Sequence, residues 1–454
     1  MKTMSVNKRW FIDSGFRLDA SFHLSEGLLT LHKLKKSPYP LGVLKEETER
    51  IFKGGIFKRT YVKSIEKGYD FITASDMMKN DILGGKFISK KYSNIVHLFV
   101  ANEWTLVSRS GTLGNTAFTS ELFENKVLTD DLIRIVPNNK NILSGYLYAF
   151  LSSHYGYGLL TQSSYGGVIQ HIEPHHIENI PIPIFPEATQ QKIHQFITEA
   201  SQLRVEGNKW LNEAIGMLEC EIGMSDAQLN FQYNVISSSK LKTFHKRLDS
   251  QFQLIWKHLE KEKSKSMKYE KLANFASKIF VGGRGKRNYV EKGIPFLSSS
   301  DMMLFNPKRN SKKIGFNTLG LEDMKVNKNE ILISRSGTVG NTVIVGDDLK
   351  DTAISEHALR LVIDDKKISP HYVFAFLRTS SGQKSMQASS FGSVIITLNE
   401  DLIGNIDIPI INLQLQETIS EKIKKYMSNF DKSTLMENQA IDLIEKEIDQ
   451  WQKL

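Results

Sequence analysis

The chain has 454 residues, of which 40% are hydrophobic, and its 59 lysines and arginines exceed 50 aspartates and glutamates, giving a net charge of +9. This length can bury more than one core, so we expect at least two domains, and the moderate positive charge favours polyanionic partners. The single cysteine, Cys220, excludes an intramolecular disulfide and any cysteine-rich metal site. The sequence has no run of 18 apolar residues and no signal-peptide pattern, so we expect a soluble, cytoplasmic protein.

An internal repeat organises the whole sequence. The stretch SRSGTLGNT at 108–116 returns as SRSGTVGNT at 334–342, a shift of 226 residues. The same shift relates YLYAFL at 146–151 to YVFAFL at 372–377 and holds to the C-terminal region. Self-similarity of this kind predicts a duplicated structural unit. The chain is therefore interpreted as one module of roughly 225 residues written twice.

Each module changes its periodicity once along the chain. Short β-branched runs punctuated by glycine come first and are typical of strands and tight turns, with a helical stretch at 143–156 between them. This part is predicted to be a mixed α/β globule. After IPIPIFP the apolar spacing becomes helical, and Pro186 and Gly223 suit the beginning and the end of one long helix. Its apolar positions are Ile193, Ile197, Ala200, Leu211, Ile215, Leu218 and Ile222.

A second long helix is predicted at the end of the second module. Its apolar positions are Ile419, Ile423, Tyr426, Phe430, Ile441, Ile444, Ile448 and Trp451. Arg204 and Gly207 interrupt the first apolar seam midway, and Ser433 and Glu437 interrupt the second. Two helices with one apolar seam each bury those seams most simply against each other. We therefore expect two globules separated by an antiparallel coiled coil, in a pseudo-two-fold, effectively circular arrangement.

In these features the chain resembles the specificity subunits of type I restriction–modification systems. The resemblance covers the whole chain. It rests on the tandem modules, the SRSGT(L/V)GN loop, the long helices, and the junctions SSYGGVI…NIPIPIFPEATQQKI and SSFGSVI…NIDIPIINLQLQETI. The second junction departs from the first, with Asp407 in place of Pro181 and Glu417 in place of Gln191.

The resemblance implies a domain plan and a function. Residues 1–185 would form one target-recognition domain, 186–223 a helical spacer, 224–411 a linker with the second recognition domain, and 412–454 a second spacer. Such a protein reads one half of a split DNA target with each recognition domain and is not itself an enzyme. It docks two methyltransferase subunits along its spacer and lets motor-nuclease restriction subunits join. S-adenosylmethionine would be held by those methyltransferase subunits, so we expect no cofactor and no metal on this chain.

A basic loop occupies the same place in both modules and offers groups for DNA. IFKGGIFKRTYV at 51–62 matches IFVGGRGKRNYV at 279–290. Duplex DNA is held by cations and donors on phosphates and read by bidentate groups on base edges. A solvated loop is the alternative, but its recurrence in both modules favours DNA contact. The candidates here are Lys58, Arg59, Tyr61, Arg284, Lys286, Arg287 and Tyr289.

The repeated SRSGT(L/V)GN loop does not fit two enzyme motifs. A phosphate-binding P-loop needs a lysine where Asn115 and Asn341 stand. A nucleophile elbow needs another glycine before the serine and a histidine partner, and no histidine occupies the same position in both modules. We predict a hairpin between two strands, with positive φ at Gly111 and Gly114 and with Thr112 and Asn115 satisfying local backbone groups.

The arginines of this loop are left with two interpretations. A turn does not require Arg109 or Arg335, so each either reaches a phosphate or guanine edge, or forms a structural salt bridge. The DNA-binding candidates in the two loops are Ser108, Arg109, Ser110, Thr112, Asn115, Ser334, Arg335, Ser336, Thr338 and Asn341.

Three further sequence patterns bear on function. His171, His175 and His176 correspond to Thr397, Asp401 and Leu402, so a shared metal site is excluded. Tyr165 and Phe391 either pack in a strand or contact a DNA groove. No Asn-Pro-Pro-Tyr or Asp-Pro-Pro-Tyr sequence for base methylation occurs. The alternatives to a DNA specificity subunit are a self-contained DNA-modifying enzyme and a protein-binding scaffold without DNA readout.

The similarity of the modules also predicts the form of the target. Similar readers facing opposite directions should recognise related half-sites, separated by about one DNA turn, roughly 34 Å. The modules diverge most at 79–105 against 304–331. These two divergent segments are therefore predicted to make the half-sites differ.

Overall fold

The computed structural model describes residues 8–13, 23, 25–91, 93–162, 171–223, 250–263, 266–336, 338–392 and 396–451. Contacts divide the chain into two compact units. The first unit comprises residues up to Val205 and from Lys432 onward, and the second comprises Glu206–Asp431. Each unit contains the globular part of one module and half of each long helix. None of the helices in the described ranges combines the length and apolarity needed to cross a membrane.

The globule of the first unit contains short strands and helices. Its strands are β1 (Leu41–Val43), β2 (Thr48–Lys53), β3 (Tyr61–Val62), β4 (Gly68–Ile72), β5 (Phe87–Ser89), β6 (Thr105–Ser108), β7 (Thr116–Phe118), β8 (Lys126–Leu128), β9 (Leu132–Pro137) and β10 (Pro181–Pro183). Its helices are α1 (Lys8–Asp13), α2 (Glu26–Leu34), α3 (Ser144–Ser152), α4 (His154–Gln162) and α5 (Pro174–Ile177), followed by the long helix α6 (Glu187–Ile222).

The second unit has the corresponding elements. Its strands are β11 (Lys268–Lys271), β12 (Ala276–Val281), β13 (Tyr289–Val290), β14 (Ile294–Leu297), β15 (Lys312–Ile314), β16 (Ile331–Ser334), β17 (Thr342–Ile344), β18 (Ala353–Ile354), β19 (Ala358–Ile363) and β20 (Asp407–Ile410). Its helices are α7 (Ser250–Glu262), α8 (Leu272–Phe275), α9 (Leu321–Met324), α10 (Pro370–Arg378), α11 (Ser380–Ser389) and α12 (Glu400–Gly404), followed by the long helix α13 (Leu413–Gln450).

Both globules use the same sheet topology. The first has a sheet of order β2-β9-β6-β7, a sheet of order β3-β5-β4-β8 and the small pair β1-β10. The second repeats it as β12-β19-β16-β17, β13-β15-β14-β18 and β11-β20. All neighbouring strands are antiparallel except β4 with β8 and β14 with β18. The expected mixed α/β fold and its duplication are confirmed.

A buried helix links each sheet to the long helices. All of α3 except Ser152 is buried, and its side chains share one core with β6, β9 and the apolar seams of α6 and α13. The hydroxyl of Tyr372 in α10 of the second unit donates to the carbonyl of Pro409, at 2.7 Å, which ties this helix to β20. Each globule is continuous in its packing with the long-helix segments of its own unit.

The first long helix has the glycine stop that the sequence predicts. The first ends at Ile222, and Gly223 follows with a φ of +69°, the left-handed conformation that favours glycine after a helix. Within the second unit the helices run antiparallel, because Glu206 contacts Asn429 at 3.1 Å and Glu213 contacts Lys422 at 2.7 Å. The apolar residues Leu211, Leu218, Ile419 and Ile423 are buried between them.

The polar interruption of the seam is a buried ion pair in the first unit. Arg204 donates to Glu437 at 2.8 Å, and Tyr148 of α3 donates to the same carboxylate. Ser433 and Thr434 are completely buried beside it. A buried charge pair that also accepts a tyrosine hydroxyl tolerates few alternative pairings, so this cluster fixes how α6, α13 and α3 meet.

Candidate nucleic-acid interface

The repeated hairpin loop is closed by a serine at the end of a strand. In the first unit, Ser108 Oγ accepts the backbone N–H of Asn115 at 2.9 Å and donates to the carbonyl of Thr112. Gly111 and Gly114 have φ values of +71° and +78°, as the sequence predicts. The hairpin therefore depends on two glycines and one buried hydroxyl.

The second unit repeats this arrangement. Ser334 Oγ accepts the N–H of Asn341 at 2.9 Å and donates to the carbonyl of Thr338, while Gly340 has a φ of +92°. The prediction that the side chains of Thr112 and Asn115 satisfy the loop backbone is wrong. A serine does so in each copy, because the strand end aims its short hydroxyl across the loop.

Arg109 is held by two carboxylates. Its Nη1 donates to Asp131 at 2.9 Å, while Nε donates to Glu173 at 3.1 Å and Nη2 donates to the same residue. Lys53 also pairs with Glu173, at 2.8 Å. Burial by itself lowers the pKa of Arg109, but Glu173 and then Asp131 outweigh it, so that pKa is raised. Of the two interpretations, the structure shows the salt bridge for Arg109.

Arg335 has different surroundings. Its Nε donates to the carbonyl of Leu398 at 2.9 Å, and its backbone N–H donates to the carbonyl of His357 at 2.8 Å. Among the described residues, no carboxylate lies within ion-pair distance of this guanidinium. The positions of Asp131 and Glu173 are taken by His357 and Asn399 in this module. The same loop therefore carries an ion-paired arginine in one copy and not in the other.

The basic loop of each unit is ion-paired with the turn that precedes β9 in the first unit and β19 in the second. Arg59 pairs with Asp130 at 2.7 Å, and Arg287 pairs with Glu356. The hydrogen bond to Asp130 raises the pKa of Arg59. Burial by itself raises the pKa of Glu356, but a backbone hydrogen bond and the Arg287 charge lower it overall. Each loop is thereby fixed while part of the arginine stays exposed to solvent.

The residue after the acidic one in each turn, Asp131 or His357, contacts the hairpin loop. Ser110 Oγ donates to Asp131, and Ser336 Oγ lies 3.0 Å from Nδ1 of His357. The basic loop, the turn and the hairpin loop therefore form one continuous polar surface in each unit. We call this surface the loop–turn–hairpin surface.

Several candidates lie on the exposed side of the basic loops. Lys58, Arg284 and Lys286 are exposed, and none has an ion-pair partner among the described residues. Tyr61 and Tyr289 are about half exposed and stand edge-on against the phenyl rings of Phe71 and Phe296, respectively. These cations and rings can contact a polyanion without breaking an internal pair.

The remaining candidates are less informative. Phe391 is partly exposed and pairs through its backbone with Thr397. Tyr165 lies outside the described residues. His176 accepts the backbone N–H of Glu173 through Nδ1 at 3.0 Å and so helps to cap α5. Within the described ranges, no group of three or more histidine, cysteine or acidic side chains is placed to hold a metal.

Each divergent segment lies beside the basic loop of its own unit. A Cβ placed on Gly54 would lie 2.7 Å from Cδ2 of Leu98, and one on Gly285 would lie 2.9 Å from the carbonyl oxygen of Leu319. Val96 and Leu319 are 82% and 87% exposed, so the divergent segments present apolar side chains next to the cationic loops. The shared and the divergent parts of the modules therefore meet on one face.

Equivalent buried arginines anchor these segments. Arg134 in β9 donates to the carbonyls of Leu132 and Leu98, at 3.0 and 3.4 Å. Arg360 in β19 donates to the carbonyls of Asp323 and Lys325, at 2.7 and 2.6 Å, and forms a two-point ion pair with Glu330. Burial lowers the pKa of Arg134 to about 10, against the opposing charge of Asp130.

Sequence reasoning missed the acidic and carbonyl partners of these arginines. Asp130 and Glu356 are acidic residues at matched positions, and their next neighbours, Asp131 and His357, differ in charge. This pattern was available in the aligned modules as a signal. The contact of Arg134 with Leu98, 36 residues away, had no such signal.

Both modules of the chain match one known protein family. Two regions, residues 47–216 and 283–446, match the family described as Type I restriction modification DNA specificity domain. No curated protein sequence matches the chain.

Solved structures of low sequence identity resemble the chain over most of its length. The S subunit of a type I restriction–modification system from M. genitalium is 14% identical, with a TM-score of 0.37, over 92% of this chain and 98% of that one. The HsdS subunit from Thermoanaerobacter tengcongensis is 13% identical, with a TM-score of 0.28, over 91% and 96%. A chain from a study of complex assembly and conformational transition in the type I R-M system is 12% identical, with a TM-score of 0.29, over 91% and 98%.

The family match covers more than half of the chain and falls on both modules. Each matched region includes the basic-loop arginine, the hairpin loop and most of the long helix that follows. The chain therefore belongs to the family of type I restriction–modification DNA specificity proteins.

Proposed function

We propose that this chain binds a split DNA target, with each module reading one half, and directs associated subunits to it. The observation that carries this proposal is the loop–turn–hairpin surface, which recurs in both units beside the segment that differs between them. Exposed cations such as Lys58 and Lys286 supply phosphate contacts, and a divergent neighbour supplies discrimination between sequences. Shared and divergent residues on one face suit a reader whose docking is constant and whose specificity varies.

The partners are proposed from the family. Two methyltransferase subunits would dock along the long helices, and motor-nuclease restriction subunits would join them. S-adenosylmethionine and catalysis would belong to those methyltransferase subunits, and this chain would hold no cofactor or metal. The protein would act in the cytoplasm, where duplex DNA and these partners are accessible.

The form of the target follows from the duplication. Because the loop–turn–hairpin surface is equivalent in the two modules, they should recognise related half-sites, separated by one DNA turn, roughly 34 Å. The segments at 79–105 and 304–331 would make the half-sites differ. Exchanging one of them for the other should therefore alter one half-site only, which sequencing of methylated motifs in cells would reveal.

Salt-dependent binding tests the DNA-reading function. A fluorescently labelled duplex of mixed sequence would be titrated with the full chain at several salt concentrations. We expect binding to weaken steeply with salt, and K58Q and K286Q each to reduce the slope of log K against log salt by about one. These two substitutions are a matched pair, because the lysines are exposed and occupy the same position in the two loops.

Two outcomes would favour the alternatives. Binding that does not depend on salt, or no binding at all, would favour a protein scaffold. Transfer of methyl groups to DNA by the purified chain with S-adenosylmethionine would show a self-contained enzyme.

A further inference from the structure

The two hairpins differ in one respect that bears on ligand binding. Arg109 has its guanidinium engaged on three sides by Asp131 and Glu173. Arg335 occupies the same position in the other module, and within the described ranges its guanidinium has one hydrogen bond, from Nε to the carbonyl of Leu398. Its two Nη groups have no carboxylate among the residues that the structure describes.

The cause is a pair of substitutions at matched positions. Asp131 corresponds to His357, and Glu173 corresponds to Asn399. Asn399 instead accepts the backbone N–H of Leu402 at 2.8 Å as the N-cap of α12. Both carboxylates that neutralise Arg109 are thereby replaced by side chains that are neutral or able to carry a positive charge.

Arg335 is nevertheless held in place. The bond from Nε to Leu398 fixes one edge of the planar guanidinium, which leaves the Nη edge for a second partner. The Ser336 hydroxyl and the imidazole of His357 are neighbours at 3.0 Å, and the His357 side chain is 55% exposed. Glu356 is the carboxylate facing this imidazole, at 4.0 Å from Nε2, and it is already paired with Arg287.

We propose that Arg335, Ser336 and His357 form a binding site for a DNA phosphate in the second module, and that the first module lacks this site. The backbone N–H of Arg335 donates to the carbonyl of His357, so the guanidinium, the hydroxyl of the next residue and the imidazole belong to one small cluster, whose donors suit the tetrahedral oxygens of a phosphodiester. The second module therefore binds a phosphate of the DNA backbone at its hairpin. In the first module, the equivalent arginine is already neutralised by its ion pairs with Asp131 and Glu173. This inference rests on the proposed DNA-binding function.

Paired substitutions in the full chain test the site. R335Q should reduce the slope of log K against log salt by about one for a labelled 40-base-pair duplex of mixed sequence. R335K keeps the charge and should retain most of that slope. The matched variant R109Q should reduce that slope much less than R335Q does and should lower the melting temperature, because Arg109 is paired with Asp131 and Glu173.

A graft of the first module's carboxylates provides a second test. The double substitution H357D with N399E should occupy Arg335 and weaken duplex binding as R335Q does. Added negative charge also repels DNA in general, so the graft is repeated in the R335Q background. We expect a much smaller additional loss there, because Arg335 is no longer present to be neutralised.

The outcomes separate this inference from the proposed function. A wild-type chain that binds the duplex in a salt-dependent manner, together with an unchanged slope for R335Q, would overturn the phosphate site alone. An equal effect of the graft with and without Arg335 would do the same. A wild-type chain without salt-dependent binding would overturn both. Melting curves confirm that each variant is folded.

Discussion

The two modules place arginines at the same points of the same frame but give them different partners. In the core, Arg360 has Glu330 as a carboxylate partner, whereas Arg134 contacts backbone carbonyls. At the hairpin the relation is reversed, because Arg109 has two carboxylates and Arg335 has none among the described residues. The frame therefore depends on backbone contacts shared by both modules. The carboxylates determine whether each guanidinium is neutralised by an ion pair within the protein.

The largest expected effect concerns the buried arginines. R360M removes the guanidinium that pairs with Glu330, which is 98% buried, and leaves a buried carboxylate that keeps the hydrogen bonds from Asn327 but loses this opposite charge. We expect a loss of roughly 3–5 kcal/mol in the free energy of unfolding. The matched variant R134M leaves only carbonyls without a donor and should cost about half as much. Denaturant unfolding of both variants measures this, and equal losses would show that Glu330 adds nothing.

A smaller effect is expected at Glu173, the carboxylate that pairs with Arg109 of the hairpin loop. Burial by itself raises the pKa of Glu173, but Lys53 and Arg109 outweigh it and lower that pKa to about 2, from an ordinary value of 4.5. A lowered pKa stabilises the fold above the unfolded value, and this contribution disappears as the pH falls from 4.5 towards 2. E173Q should therefore cost on the order of 2 kcal/mol at pH 7 and progressively less in acid.

The control for this prediction is the matched position of the other module. N399Q removes no titrating group, so its effect on the free energy of unfolding should not change between pH 7 and pH 3. Stability curves against pH would contradict the assignment if E173Q and the wild-type protein lost stability in parallel.

The smallest expected effect separates the two hairpin glycines. Gly114 and Gly340 both have positive φ, so alanine is strained at either position. A Cβ at Gly114 would also lie 2.7 Å from Cγ2 of Thr161, whereas at Gly340 its nearest contact would be an ordinary 3.5 Å. Each substitution should cost about 1 kcal/mol, with G114A the larger by a few tenths. Thermal melting of the two variants would contradict this if G340A were the less stable.

Local patterns in the sequence were sufficient for much of the architecture. The helical seam, the glycine that follows Ile222 and the hairpin with its positive-φ glycines are determined by neighbouring residues, whose spacing is visible in the sequence. The duplication was visible because the same patterns recur 226 residues later. The polar interruption at Arg204 was also visible, although its pairing with Glu437 was not.

The roles of the arginines were decided by the tertiary structure. Sequence alone left Arg109 and Arg335 with the same two interpretations, since their loops are nearly identical. The carboxylates that separate them come from residues 22 and 64 positions away from Arg109. Charge pairing depends on distances between such remote segments, and only the folded sheets bring them within reach. The sequence thus determined the repeated frame, and tertiary contacts determined which hairpin arginine has carboxylate partners among the described residues.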